Sequence, residues 1–135
     1  MSSKFMAFMK PKDSIKTKEI IISERFTDEE GKVIPFVIRS ITPGEEKRIR
    51  EACIITDGTK RDFDANKYED ELIKISVITP DLKNIELQDY YGVTGEIELL
   101  NEMLTVGDYR VLTDAINKFN GLDRTYEDKV KEVKN

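Results

Sequence analysis

From Glu19 to Ser40 apolar positions recur at every second residue. Ile20, Ile22 and Phe26 mark one face of the first half, and Ile34, Phe36 and Ile38 mark one face of the second. A period of two with β-branched side chains is the signature of a strand, because successive side chains leave a pleated chain on opposite sides. Between the two runs lies Thr27-Asp28-Glu29-Glu30-Gly31-Lys32, whose acids and glycine make a turn. The pattern therefore predicts a β-hairpin over 19–40. Pro35 cannot donate to a ladder, so its strand is expected to have a free edge there, open to strand addition by a second copy. A lone hairpin is marginal in water, so helices or another chain must cover its apolar face.

From residue 42 the period becomes helical. Thr42-Pro43-Gly44-Glu45 reads as a capping box with proline at the first helical position, opening a helix to about Ile55 with Ile49, Ala52 and Cys53 on one stripe. Asp57-Gly58-Thr59-Lys60 reads as a loop. Asp64 is placed to cap the next helix, where Tyr68, Leu72 and Ile75 share a face; it stops before Pro80. Leu82, Ile85 and Leu87 fall in a short connection of about one helical turn, ending at Gly92. Thr94 is the expected cap of a helix with Ile97, Leu100, Met103 and Leu104 inward. Thr105 with Asp108 resembles a second capping box, before Leu112, Ala115, Ile116 and Phe119, and Asn120-Gly121 is a stop. Thr125 with Asp128 opens a last helix carrying Tyr126, Val130 and Val133. A hairpin followed by about five short helices makes the class α+β, predominantly helical.

Charge then divides the chain. Residues 1–18 hold Lys4, Lys10, Lys12, Lys16 and Lys18 against the single acid Asp13, whereas the chain as a whole is acidic, with formal net charge −5. A basic, mobile arm over 1–18 is expected to precede a single domain over 19–135, with the hairpin at 19–40 and the helical part at 42–135. The full chain of 135 residues suits one domain with a real core. The acidic balance argues against nucleic acid as a partner. The chain has no histidine and one cysteine, Cys53. That removes Ser-His-Asp and Cys-His devices, a His or multi-Cys zinc site within one chain, and a disulfide framework, which fits a reducing cytoplasm. No apolar run approaches the roughly 20 residues of a membrane span, and Phe5-Met6-Ala7-Phe8-Met9 is shorter than the roughly 7–15 residues of a signal-peptide core.

Candidate chemistry is sparse. Asp62-Phe63-Asp64-Ala65-Asn66 resembles the opening of a calcium loop, but Lys67 and Ile73 stand where glycine and glutamate are needed. Glu69-Asp70-Glu71 and Glu45-Glu46 stand beside lysines and arginines on exposed helix positions, which reads as a solvated face rather than a catalytic pair. Gly58-Thr59-Lys60 lacks the frame of a phosphate loop, and Cys53 reads as a small buried hydrophobe. No enzyme activity, cofactor or metal is expected. Tyr90-Tyr91 beside Gly92 fits either core packing at a turn or aromatic anchors for a partner. Phe5, Met6, Phe8 and Met9 are large apolar groups without an evident home. They fit partner binding, folding back over the hairpin, or an arm that is disordered when alone.

Several blocks, in order, resemble the XkdN-like tail assembly chaperones of tailed phages and prophages. Ala7-Phe8-Met9-Lys10 matches the family's opening, and Ser23-Glu24-Arg25-Phe26 with Asp28, Glu29, Gly31 and Lys32 matches its hairpin signature. Pro80-Asp81-Leu82-Lys83, Leu87-Gln88-Asp89 and Tyr91-Gly92-Val93 match the central block. Glu98-Leu99-Leu100, Met103-Leu104, Gly107-Asp108-Tyr109, Leu112 and Asn120-Gly121 match the C-terminal block, and Lys134-Asn135 the ending. Phe36 stands where tryptophan is frequent, and Val133 where alanine is.

The resemblance implies a protein that binds the tape measure protein, keeps it soluble and helps recruit tail tube protein. It implies work in the bacterial host cytoplasm and absence from the mature virion. A programmed frameshift giving a longer product is also associated with the family. The competing assignment is a permanent tail or neck component, an adaptor or terminator. Phe5, Met6, Phe8, Met9, Tyr91, Gly92 and Val93 are the candidate partner-binding residues, with self-association as a further possibility and no role for nucleic acid or membrane.

Overall fold

The structure, a computed structural model, describes residues 3–9 and 16–123. The helix expected over Thr125–Val133 lies outside the described residues. Two antiparallel strands, β1 (Thr17–Ile20) and β2 (Phe36–Arg39), pair from Thr17 against Arg39 to Ile20 against Phe36. β1 therefore takes Thr17 and Lys18 into the sheet. The turn forms as its residues dictate. The Asp28 carboxylate accepts the N–H groups of Glu30 and Lys32, both at 2.9 Å, and Gly31 has φ +82.

The hairpin is less continuous than the alternation predicts. Between the strands and the turn only Thr27 and Val33 bridge, and Phe26 N–H bonds back to Ser23. The pleat therefore does not run unbroken through Pro35. Phe36 and Ile38 are buried as expected, but Ile34 is 41% exposed.

The expected free edge is also corrected. β5 (Val77–Thr79) lies antiparallel on the other side of β2, with Val37 opposite Thr79 and Ile38 opposite Val77, so the sheet order is β1-β2-β5. β2 is the middle strand, Pro35 falls just outside it, and among the described residues the open edges belong to β1 and β5.

Five helices follow the first hairpin among the described residues: α2 (Pro43–Ala52), α3 (Ala65–Ser76), α4 (Ile85–Tyr90), α5 (Glu96–Met103) and α6 (Val106–Phe119). A four-residue α1 (Ser3–Met6) precedes them all. The capping boxes at Thr42/Glu45 and Thr105/Asp108 both form, and the Asp64 side chain accepts from Lys67 N–H. Gly121, at φ +68, follows the Asn120 cap of α6.

Other expectations change. α2 ends at Ala52, which is exposed, while Cys53 caps the helix and is buried. The cap of α5 is Gly95, not Thr94. Its φ of +122 is glycine territory, and its N–H donates to the Gln88 side-chain oxygen at 3.2 Å. The stretch 42–135 is not purely helical. Besides β5 it holds a second hairpin, β3 (Ile54–Asp57) and β4 (Lys60–Phe63), turned by Gly58-Thr59. Gly58 has φ +63 at the first central position, the place a type II′ turn gives to glycine.

One core joins the sheet to the helices. Phe36 and Ile38 from β2 meet Ile73 of α3, Leu99 and Leu100 of α5, and Leu112 and Ile116 of α6. Each such side chain contributes about 1.5–3 kcal/mol by leaving water. In α3 the buried positions are Leu72, Ile73 and Ser76, with Tyr68 and Ile75 half-buried, so the stripe is rotated from the expected one.

Candidate partner-binding surface

The N-terminal segment presents its apolar groups outward. Phe5 is 66% exposed, Met6 57%, Phe8 85% and Met9 61%, and none joins the core cluster. Phe8 N–H bonds to the Phe5 carbonyl at 3.0 Å and Met9 N–H to that of Met6 at 3.2 Å. The turn after α1 thus sets these side chains within a short stretch, the composition of an adaptable contact surface.

The second predicted group divides. Tyr91 and Val93 are half-buried and pack against the core, and Gly92, at φ +68, closes α4. Tyr90 is 81% exposed, with its ring edge-on to Tyr91 at 4.9 Å between centroids. Tyr91 and Val93 therefore fasten the turn, and Tyr90 is the ring shown to solvent.

The charged groups are tied to the fold. Glu45 is drawn down to about 2, first by the Arg39 guanidinium at 2.6 Å and against the pull of burial, with help from the Thr42 N–H. Arg39 also donates to the Ile75 carbonyl at 3.1 Å and so holds α2, α3 and the sheet end together. Arg50 and the Tyr68 hydroxyl hold Glu46 below the usual carboxylate range, and burial with Glu46 lifts Tyr68 to about 12. Glu45 and Glu46 are both kept ionised, the opposite of a general acid paired with a base.

Burial raises Asp70, which accepts from the Tyr109 hydroxyl at 3.4 Å, and burial and Asp70 push Tyr109 up to about 12. This pair clamps α3 to α6. Beside it runs an open groove of about 820 Å³, lined by acids such as Asp64, Glu71 and Glu98 and by Lys67, Lys74 and Lys83. The Cys53 thiol is raised by burial, which suppresses the thiolate that would make it reactive. Among the described residues no group of three or more potential ligands is placed to hold a metal, and no helix is long and apolar enough to cross a membrane.

The sequence reading missed the exposed apolar side chains of the second hairpin, Ile55 and Phe63. The signal was present: Ile54-Ile55-Thr56 is a β-branched run ending at Asp57-Gly58.

The chain is 28% identical over 138 residues to the phage-like element PBSX protein XkdN of Bacillus subtilis (strain 168), an alignment spanning 96% of this chain and 93% of the relative. It is 26% identical, with the same coverage, to the protein YqbN of that strain. The crystal structure of YqbN superposes with a TM-score of 0.72 at 25% identity, over 91% of this chain and 98% of that one. Residues 5–134 match the family of phage XkdN-like tail assembly chaperone proteins, and the chain belongs to that family.

Proposed function

We propose that this chain binds the tape measure protein of a phage or prophage tail, keeps it soluble in the host cytoplasm, helps recruit tail tube protein and departs before the virion is complete. The observation that carries this reading is the outward display of Phe5, Met6, Phe8 and Met9 on a segment outside the core. Contiguous exposed apolar groups mark interaction sites. A long helical chain with bare apolar faces needs such contacts until the tube encloses it.

Charge supports the same reading. The acidic body makes coated complexes repel one another, which opposes aggregation. Each contact can be weak, because many copies along one partner gain by avidity. Weak contacts also let the polymerising tube displace the chaperone. In this reading the protein acts by surface contact, not by catalysis. Tyr91, Gly92 and Val93 serve by holding the turn that presents Tyr90.

The test is deletion of residues 1–12. Solubilisation of the tape measure protein falls while the thermal transition of the fold stays nearly unchanged. Undiminished binding by the deletion variant removes the arm from the interface. Mass spectrometry of purified particles tests the departure: stoichiometric retention would assign the chain to the permanent tail or neck.

A further inference from the structure

Among the described residues the second hairpin pairs with no further strand, and it has one guarded edge and one unguarded edge. Apart from half-buried Ile54, all of its strand residues are exposed. Two strands alone are marginally stable in water, so an exposed hairpin of this kind gains from a further strand. Asp64 N–H donates to the Cys53 carbonyl at 2.8 Å, and the pairs run Ile54–Phe63, Ile55–Asp62, Thr56–Arg61 and Asp57–Lys60. Ladder bonds alternate along an antiparallel pair. The backbone groups of Ile54 and Thr56 therefore face the free side of β3, and those of Arg61 and Phe63 the free side of β4.

The β4 side is guarded. It carries Lys60, Arg61 and Asp62, and the Asp62 carboxylate takes the Phe63 N–H at 2.8 Å. Charged side chains and blocked N–H groups are how natural sheets prevent edge pairing. The β3 side carries Ile54, Ile55 and Thr56, all β-branched and uncharged, with Ile55 50% exposed, and its single charge, Asp57, stands at the turn end.

The geometry points to a second copy of this chain as the occupant of the β3 edge, through antiparallel β3–β3 pairing about a two-fold axis at Ile55. That register sets Ile55 on Ile55 and Ile54 on Thr56, and opposes no like charges. Reciprocal N–H to carbonyl bonds join Ile54 of each copy to Thr56 of the other. Charge excludes the β4 alternative: the symmetric registers there oppose Asp62 to Asp62, Arg61 to Arg61, or Asp62 to Asp64, and like charges directly opposite are destabilising. The contact is isologous, so it closes as a four-stranded dimer and does not grow into fibres. So short an edge makes a weak dimer. The inference concerns the chain alone and stands apart from the proposed partner.

Sedimentation equilibrium of the full chain from about 10 µM to 1 mM tests it, since weak association shows in that range. The average mass rises toward the dimer, and Ile55→Lys returns it to the monomer while circular dichroism stays unchanged. Independently, Ile55→Cys in a Cys53→Ser background oxidises to a disulfide-linked dimer, because directly opposite positions that share no ladder bond bring Cα atoms to about 4.5 Å. Exposed Val106→Cys in the same background cross-links at least tenfold more slowly. A monomer at every concentration overturns the inference. So does a dimer indifferent to Ile55→Lys, or cross-linking no faster at position 55 than at position 106. A chain that stays monomeric while its β3 edge pairs with an extended segment of another protein also overturns it.

Discussion

Arg25 reaches across 83 positions of chain to Asp108, with Nη2 3.3 Å from the carboxylate, and the same nitrogen donates to the Met103 carbonyl at 2.8 Å. Arg25, within the open stretch between β1 and the Thr27 bridge, is thereby locked to the junction of α5 and α6. Burial would lift the Asp108 carboxyl, but the Thr105 N–H and hydroxyl and the Arg25 guanidinium outweigh it, and the group sits below its ordinary value. Arg25→Ala is expected to cost about 1 kcal/mol, since the side chain is half in solvent and such bonds are worth less there. Urea denaturation checks this, with Arg25→Lys retaining part of the stability. A neutral Arg25→Ala would show that the lock adds nothing.

The Glu45–Arg39 pair makes stability depend on acid. The folded-state carboxyl sits at about 2 against an ordinary 4.5. A depressed carboxyl contributes fully above its unfolded value, and the contribution drains away as pH falls from about 4.5 toward 2. Glu45→Gln keeps the shape of the capping box and removes the charge. The wild type should exceed it by about 1–2 kcal/mol at pH 7, a gap that shrinks steadily below pH 4.5. A gap that is constant with pH contradicts the assignment.

Core and surface within one strand region should separate cleanly. Phe36→Ala removes a ring that is 2% exposed and should cost about 3–5 kcal/mol, whereas Ile34→Ala, two positions away, should cost less than about 0.5 kcal/mol. Equal costs would mean that the pleat runs unbroken through Pro35 after all.

The features read correctly from sequence are those fixed by contacts three or four residues apart. Thr42 with Glu45, Thr105 with Asp108, and Asp64 each close a cap using neighbours, and the stripe of Leu112 and Ile116 is set by helical spacing alone. What stayed hidden depends on distant partners. Val77–Thr79 continues the apolar run of α3, and only its pairing with β2 makes it a strand. Ile54–Asp57 is different: its β-branched run before Asp57-Gly58 is a local signal, obscured because Ile54 and Ile55 also continue the apolar stripe of α2. Phe5 and Phe8 were legible as apolar groups without a home, and their display at the surface is a property of the folded chain.

Ser76 is fully buried, and its hydroxyl has no hydrogen-bond partner among the described residues. An unsatisfied buried hydroxyl costs about 1–3 kcal/mol relative to an apolar group. Ser76→Ala should therefore stabilise the fold by about 1 kcal/mol, read as a higher denaturation midpoint with unchanged slope. A loss of stability would reveal a partner for the hydroxyl.

The proposed role of this chain is to shield a long helical tail protein through surface contacts. The sharpest check is co-expression with the tape measure protein of the same phage or prophage, scored by the soluble fraction of that protein and by co-purification. The tape measure protein should be largely insoluble alone, become soluble and co-purify with this chain, and lose that protection when residues 1–12 are deleted. A tape measure protein equally insoluble with and without the chain, and never recovered bound to it, would rule this role out.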